Sequence, residues 1–198
     1  WDLLPMEKYR AHNWHCFGNL PRSPYGSLYT TLGCPFHCSF CCIQAPFKKG
    51  EEASGMRRGL NSYRLWNPDS VIAQIDILVN RYGVRNIKFA DELFVLNRQH
   101  VERVCNLIVE RGYDLNIWAY ARVDTLKDGM LETLRKAGIR WLALGIEAAS
   151  ERVRDDSRKG ITRDKIYRAV HRIKDQGIYI IGNFIFGLPE DDLQTMQE

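Results

Sequence analysis

The sequence predicts an α/β chain folded as a partial (β/α) barrel of TIM type, with parallel strands and the final unit or units beyond the 198 residues. Three observations carry this reading. Short apolar runs alternate with longer segments whose apolar residues recur every three or four positions, the two periods of buried strand and amphipathic helix. Four helical segments each close on a glycine, at Gly83, Gly112, Gly138 and Gly177, because glycine accepts the left-handed conformation that ends a helix. The unusual polar residues stand where the apolar runs stop, the end at which barrel enzymes build their sites.

The first strand is expected at residues 27–32, leading into a cysteine-rich loop. A helix then opens at Asn67, a good N-cap, with Pro68 at its first position. Its Ile72, Ile75 and Val79 recur at helical spacing up to Gly83. The second strand, 87–90, runs into Asp91 and Glu92, and a helix over 98–111 turns Val101, Val104 and Ile108 inward. The third strand, 116–121, ends at Arg122 and is followed by a helix over 127–137. The fourth, 141–146, ends at Glu147. After a polar stretch over 150–160, Thr162 caps a helix carrying Ile166, Val170 and Ile173, and the fifth strand spans 179–186. Residues 190–198 read as the start of a further helix. Sequential parallel strands need such crossovers, which wind right-handed and curl the sheet toward a barrel. No composition break divides residues 27–198, which form the core domain. Residues 1–26, rich in aromatics, Pro and His, read as a lead-in segment from an upstream domain. The chain opens on Trp1 without a signal-peptide pattern and is expected to be excised from something longer.

Hydrophobic residues make up 45% and charged residues 26%, ordinary globular values. No apolar run approaches the roughly 20 residues of a membrane helix. The net charge of +4, from 28 basic and 24 acidic residues, gives no reason to expect nucleic acid as a partner. Arg163, Lys165, Arg168, Arg172 and Lys174 read as the wet face of one helix. Of six cysteines, three share one loop with Cys42 beside them, while Cys16 and Cys105 are isolated. That clustering points to metal chemistry in a reducing, cytoplasmic setting over extracellular cross-links.

Cys34, Cys38 and Cys41 stand at C-x3-C-x2-C spacing. Three thiolates on one short loop can hold three corners of a cubane iron–sulfur cluster. The fourth iron is then without a protein ligand, an open position where a substrate can bind and react, which favours an enzyme over an electron carrier. The competing reading is structural zinc with His37 or Cys42 as fourth ligand. Zinc sites usually draw on two separated knuckles, yet all candidates here fall within nine residues and no second C-x2-C occurs. Cys42 is expected to be a small buried residue. One polar residue ending a strand can merely be returning to water. Here Cys34, then Asp91 and Glu92, then Arg122, then Glu147 and Ser150 repeat the placement on four consecutive strands, with Asn183 within the fifth. Arg122 offers a fork of donors that suits a carboxylate. The connection over 43–66, with Lys48, Lys49, Arg57, Arg58 and Arg64, reads as a solvated flexible loop, with a substrate lid as the alternative.

With Phe40 directly before the third cysteine, the loop resembles the hallmark of the radical S-adenosylmethionine (SAM) enzymes, and the resemblance covers nearly all of residues 27–198. It implies the horseshoe-shaped barrel of that family and a [4Fe–4S] cluster held by Cys34, Cys38 and Cys41. The unique iron would chelate SAM, whose reductive cleavage gives a 5′-deoxyadenosyl radical. Phe40 would lie near the adenine, and Asp91 or Glu92 would meet the methionyl amine. Asp91, Glu92, Leu93 and Phe94 resemble the acid-acid-x-Phe variant of cobalamin-associated members. Glu147, with Ser150 in the same motif, resembles the fourth-strand element that approaches the ribose. Asn183 to Glu190 resembles the fifth-strand G-x-I-x-G-x-x-E, with Asn183 replacing the first glycine and Ile185 keeping an apolar surface for adenine. The aromatic opening looks like the joint to a cobalamin-binding domain, whose D-x-H-x-x-G signature is not in these residues. The function implied is SAM cleavage serving cobalamin-dependent methylation, or a related modification, of a small molecule, lipid or natural product. A flavodoxin- or ferredoxin-type protein would supply the electron. The alternatives are a tRNA-modifying methylthiotransferase of the same family and a non-catalytic, metal-stabilised binding module.

Overall fold

The computed structural model describes residues 1–17, 20–43, 53–55 and 63–198. In chain order it contains β1 (Tyr25–Leu28), β2 (Thr31–Gly33), β3 (Tyr63–Leu65), α1 (Pro68–Tyr82), β4 (Asn86–Phe89), α2 (Arg98–Glu110), β5 (Asn116–Ala121), α3 (Met130–Lys136), β6 (Ile139–Glu147), α4 (Glu151–Asp156), α5 (Arg163–Asp175) and β7 (Tyr179–Phe184). The main sheet has five parallel strands in the order β1-β4-β5-β6-β7, so each crossover helix returns the chain to the adjacent position. β2 and β3 form a separate antiparallel ribbon.

Strand alternation gives the sheet two faces. Ile87, Phe89, Ile117, Ala119, Leu142 and Leu144 pack with the apolar stripes of the helices, among them Ile75, Leu78, Val104, Ile108, Leu134 and Ile173. The opposite face is aromatic: Trp118, Trp141 and Ala143 cluster with Tyr120, Ile181 and Trp14 of the lead-in segment. The basic residues of α5 face water, as expected, apart from the partly covered Arg172.

The helix ends follow their local chemistry. The Asn67 side chain accepts the N–H of Asp69 at 2.8 Å, and Gly83 closes α1 in the left-handed conformation. Gly138 is the stricter case. Its φ is +88°, and a Cβ there would lie 2.5 Å from the Leu115 carbonyl oxygen, so the α3-to-β6 turn admits only glycine.

Three elements differ from expectation. The run over 27–32 is divided between two sheets, because the Thr30 N–H is taken by the Asp91 carboxylate at 2.7 Å and leaves the β1 ladder. The polar stretch after Ser150 contains α4, organised around Arg154, which is 1% exposed. Its guanidinium donates to the carbonyls of Ala148, Ala149 and Ile161, and one buried arginine gives no apolar period to read. Residues 190–198 form turns instead of a helix. Asp191 accepts the N–H groups of Gly187 and Leu188, and Asp192 those of Gln194 and Thr195, the local competition by which Asp disfavours helix.

At the N-terminal end of the sheet, Asn86 donates to the Pro21 carbonyl and Asn116 to that of His15, both at 2.7 Å. The lead-in segment is thereby anchored across the first residues of β4 and β5. Trp14 meets Trp118 and Trp141 edge-on, with ring centroids 4.9 and 5.3 Å apart.

Candidate active site

The cysteine loop leaves β2 at the C-terminal end of the sheet. Two acids fix its root. Asp91 is fully buried and accepts the Thr30 N–H at 2.7 Å, the Thr30 hydroxyl at 2.6 Å and the Thr31 hydroxyl at 2.8 Å. The ring of His100 lies 3.2 Å from the same Thr30 hydroxyl. Burial raises the Asp91 carboxyl above its ordinary value, and the threonine bonds pull it back only in part. Glu92 is half-buried, and one of its oxygens accepts the N–H of Gly33, the residue before Cys34, at 2.8 Å. The two acids are therefore unequal: Asp91 is spent on Thr30 and Thr31, whereas the second oxygen of Glu92 carries no bond among the described residues.

Arg122 braces the loop from β5. Its guanidinium lies 3.8 Å from the Phe36 ring centroid, and Nη1 approaches the Cys38 sulfur at 3.5 Å. Nε and Nη2 form a fork on Asp124, each at 3.0 Å, and Nη2 also donates to the Lys159 carbonyl at 2.9 Å. Burial pushes the Asp124 carboxyl up, but the bonds and charge of Arg122 outweigh it and hold the group below its ordinary value. Most of the donor fork is thus engaged inside the protein. From the far side, the Ser39 N–H donates to the Ser157 carbonyl at 3.1 Å, tying the loop to the end of α4.

Cys34 and Cys38 are half-buried and Cys41 is exposed. Cys42 is also exposed, which corrects the expectation of a small buried residue. Burial raises the Cys34 thiol, and Cys38, Cys41 and Arg122 all lie within electrostatic reach of it. An all-thiolate donor set beside a cation suits an iron–sulfur cluster. Among the described residues no three His, Cys, Asp or Glu side chains converge on a single-ion position. In a cubane each thiolate binds a different iron, so such convergence is not needed. The residues fit the group.

The end of β6 holds the third charged element. The register shifts between Gly145 and Glu147, and Glu147 has a φ of +72°, a conformation unfavourable for a residue with a Cβ and one that clusters at functional sites. Its buried carboxylate pairs with the Lys159 ammonium, which also donates to the Gly145 carbonyl at 2.8 Å. A Cβ on Gly145 would fall on this pair, which explains the glycine. Sequence reading missed Lys159, because nothing in the run over 150–160 separates it from a surface lysine. Its position after α4, which folds it back beneath β6, is a tertiary fact.

Ser150 is buried at the start of α4. Asn183 is half-buried in β7, where its register partner is Gly145. Ile185 is exposed, and its N–H donates to the Glu147 carbonyl at 2.8 Å. Phe40 is exposed on the cysteine loop. Direct contacts join Arg122 to Cys38, Glu92 to Gly33 beside Cys34, and Ile185 to Glu147. Lys48, Lys49, Arg57 and Arg58 of the basic connection lie outside the described residues, and Arg64 lies on β3.

Comparison with known proteins agrees with this geometry. The family described as the radical SAM superfamily matches residues 28–198. An uncharacterized methyltransferase of Pyrococcus horikoshii is 30% identical over 197 residues, covering 100% of this chain and 38% of that protein. The anaerobic magnesium-protoporphyrin IX monomethyl ester cyclase of Rubrivivax gelatinosus is 32% identical over 201 residues, covering 100% of this chain and 32% of the enzyme. The chain thus spans about a third of the length of these relatives. Among solved structures, the radical SAM methyltransferase TsrM of Kitasatospora setae, with cobalamin and a [4Fe–4S] cluster bound, superposes with a TM-score of 0.68. The match covers 89% of this chain and 33% of that one at 20% identity, a likeness of fold.

Proposed function

The chain belongs to the radical SAM superfamily, and from that premise we propose that it is the catalytic core of an enzyme that cleaves SAM reductively to drive cobalamin-dependent methylation, or a related modification, of a small molecule. The observation that carries this is the cysteine loop, rooted by Asp91 and Glu92 and braced at Cys38 by Arg122. Cobalamin dependence is supported by the cobalamin in the structural relative TsrM, and methylation by the likeness to the uncharacterized methyltransferase of Pyrococcus horikoshii. The cobalamin would be held by a domain preceding the lead-in segment.

When bound, the cluster supplies the electron that opens the sulfonium carbon–sulfur bond. The chain's own residues hold and orient. Cys34, Cys38 and Cys41 provide three thiolates, and the Arg122 N–H offsets charge on Cys38, the kind of outer contact that orients and tunes a metal ligand. The spare oxygen of Glu92 receives the methionyl ammonium, with Asp91 acting through the backbone. Glu147, held in place by Lys159, accepts the ribose hydroxyls. Ser150, Asn183, Ile185 and Phe40 flank the nucleoside. The electron donor is of flavodoxin or ferredoxin type, and six free cysteines suit a reducing cytoplasm. No helix among the described residues is long and apolar enough to cross a membrane.

The test is anaerobic reconstitution of the full-length protein with iron and sulfide, followed by assays for 5′-deoxyadenosine and for a labelled methyl group from SAM. Cys34→Ala should lose the cluster and both activities. SAM cleavage that survives this substitution would refute the assignment.

A further inference from the structure

We propose that Lys88 is the counter-charge for a carboxylate carried by the substrate, so that the helix-free face of the sheet forms a subsite for an anionic group on a flat, apolar body. This rests on reading the chain as a radical SAM enzyme that acts on a small molecule.

Lys88 is flanked in β4 by Ile87 and Phe89, both in the core against the helices. Strand alternation therefore turns Lys88 to the opposite face, where its register neighbours are Ser27 and Trp118. Its ammonium lies 4.3 Å from the Trp118 ring centroid and 5.3 Å from that of Tyr120. Among the described residues it has no carboxylate and no hydrogen-bond acceptor. The other cations of the site are paired differently: Arg122 holds Asp124 and Lys159 holds Glu147. Of the two acids that follow β4, Asp91 is engaged by the two threonines, and Glu92 holds Gly33 through one of its oxygens.

Half-burial without an anion leaves the ammonium poorly compensated, and burial lowers the lysine from its ordinary value. Two aromatic faces compensate the ammonium only in part, less than a charge-assisted hydrogen bond to a carboxylate does when water is excluded. A second group on this face points the same way. The Trp118 indole N–H is buried and has no acceptor among the described residues. Buried indole N–H groups ordinarily find a partner. Two register neighbours, an ammonium and an N–H, thus both lack an acceptor, and a carboxylate presents two oxygens. Beside them the half-buried Tyr120 ring offers flat apolar contact, while Trp118 and Trp141 are backed by Trp14 of the lead-in segment. The subsite also faces the chemistry: Tyr120 is two residues before Arg122 on the same side of β5, and Arg122 touches Cys38.

The probe is 4-fluorobenzoate, titrated into the full-length, cluster-reconstituted protein with SAM present and followed by 19F NMR, with neutral 4-fluorobenzamide as control. Wild-type protein should bind the carboxylate saturably and roughly tenfold or more tightly than the amide. Lys88→Gln should remove that preference, Lys88→Arg should retain most of it, and Trp118→Phe, which keeps the ring but not the N–H, should weaken carboxylate binding severalfold. Iron content and SAM binding are measured on the same samples. Equal binding of carboxylate and amide by wild-type protein, or a carboxylate affinity unchanged in Lys88→Gln, overturns the subsite. Wild-type protein that takes up no cluster or binds no SAM instead overturns the enzymatic reading beneath it. Should Lys88→Gln not fold, the wild-type comparison and Lys88→Arg decide.

Discussion

Asp91 grips Thr30 twice, accepting its backbone N–H at 2.7 Å and its hydroxyl at 2.6 Å. This contact across the sheet converts one apolar run into two strands of different sheets and aims the second at the cysteine loop. Asp91 is thereby engaged by the segment it positions, and its neighbour Glu92 keeps one oxygen without a bond among the described residues.

Replacing Asp91 by alanine should strand one buried N–H and two hydroxyls, at a cost of roughly 2–4 kcal/mol. Urea unfolding should show the loss, and iron uptake should fall with it because the loop loses its root. Wild-type stability together with full cluster content would mean that the break after β1 is set elsewhere.

Lys159→Met should leave the Glu147 carboxylate buried without its cation, costing about 3–5 kcal/mol. Adding Glu147→Gln to that variant should recover much of the loss, since the buried charge is then gone. A double variant no more stable than the single would show that the two side chains are not coupled. Glu147→Gln alone should weaken SAM binding while iron content stays intact, as read by equilibrium dialysis.

Arg122→Met should lower the rate of SAM cleavage by roughly 10–100-fold, the scale of outer contacts at metal sites. The reduction potential of the cluster should become more negative, because a cationic N–H no longer offsets charge at Cys38. A redox titration followed by electron paramagnetic resonance measures this. An unchanged potential would confine Arg122 to packing against Phe36.

His15 gives a pH dependence. Burial, with the charge of nearby His12, lowers its pKa from an ordinary 6.5 to about 4. Above 6.5 the ring is neutral in both folded and unfolded chains, and stability is at its full value. As pH falls from 6.5 toward 4 the unfolded chain takes up the proton first, so stability declines by about 1.4 kcal/mol per pH unit, roughly 3 kcal/mol in all. His15→Phe should flatten this limb in unfolding experiments run between pH 7 and 4. An identical slope in both proteins would remove His15 as its source.

Much of this molecule is legible along the chain. The bounds of β5 follow from an apolar run ending on Arg122, the start of α1 from Asn67 and Pro68, and the ends of four helices from their glycines. The cysteines declare a cluster by spacing alone. These are local properties, set by period, capping and the reach of neighbouring side chains.

Long-range pairing is not written locally. That Asp91 faces Thr30 across 61 positions while Glu92 faces Gly33 depends on β1 and β4 being neighbours in register. Adjacent acids of nearly equal chemistry cannot be told apart until the fold gives them different partners. Lys159 becomes the partner of Glu147 only because α4 returns the chain beneath β6, and Lys88 meets the Trp118 and Tyr120 rings, with no anion among the described residues, because alternation turns it to the aromatic face. Residue types and their spacing set which chemistry the chain can perform. Packing decides which carboxylates and cations remain free to perform it, because a buried charge takes whatever partner the fold brings within reach.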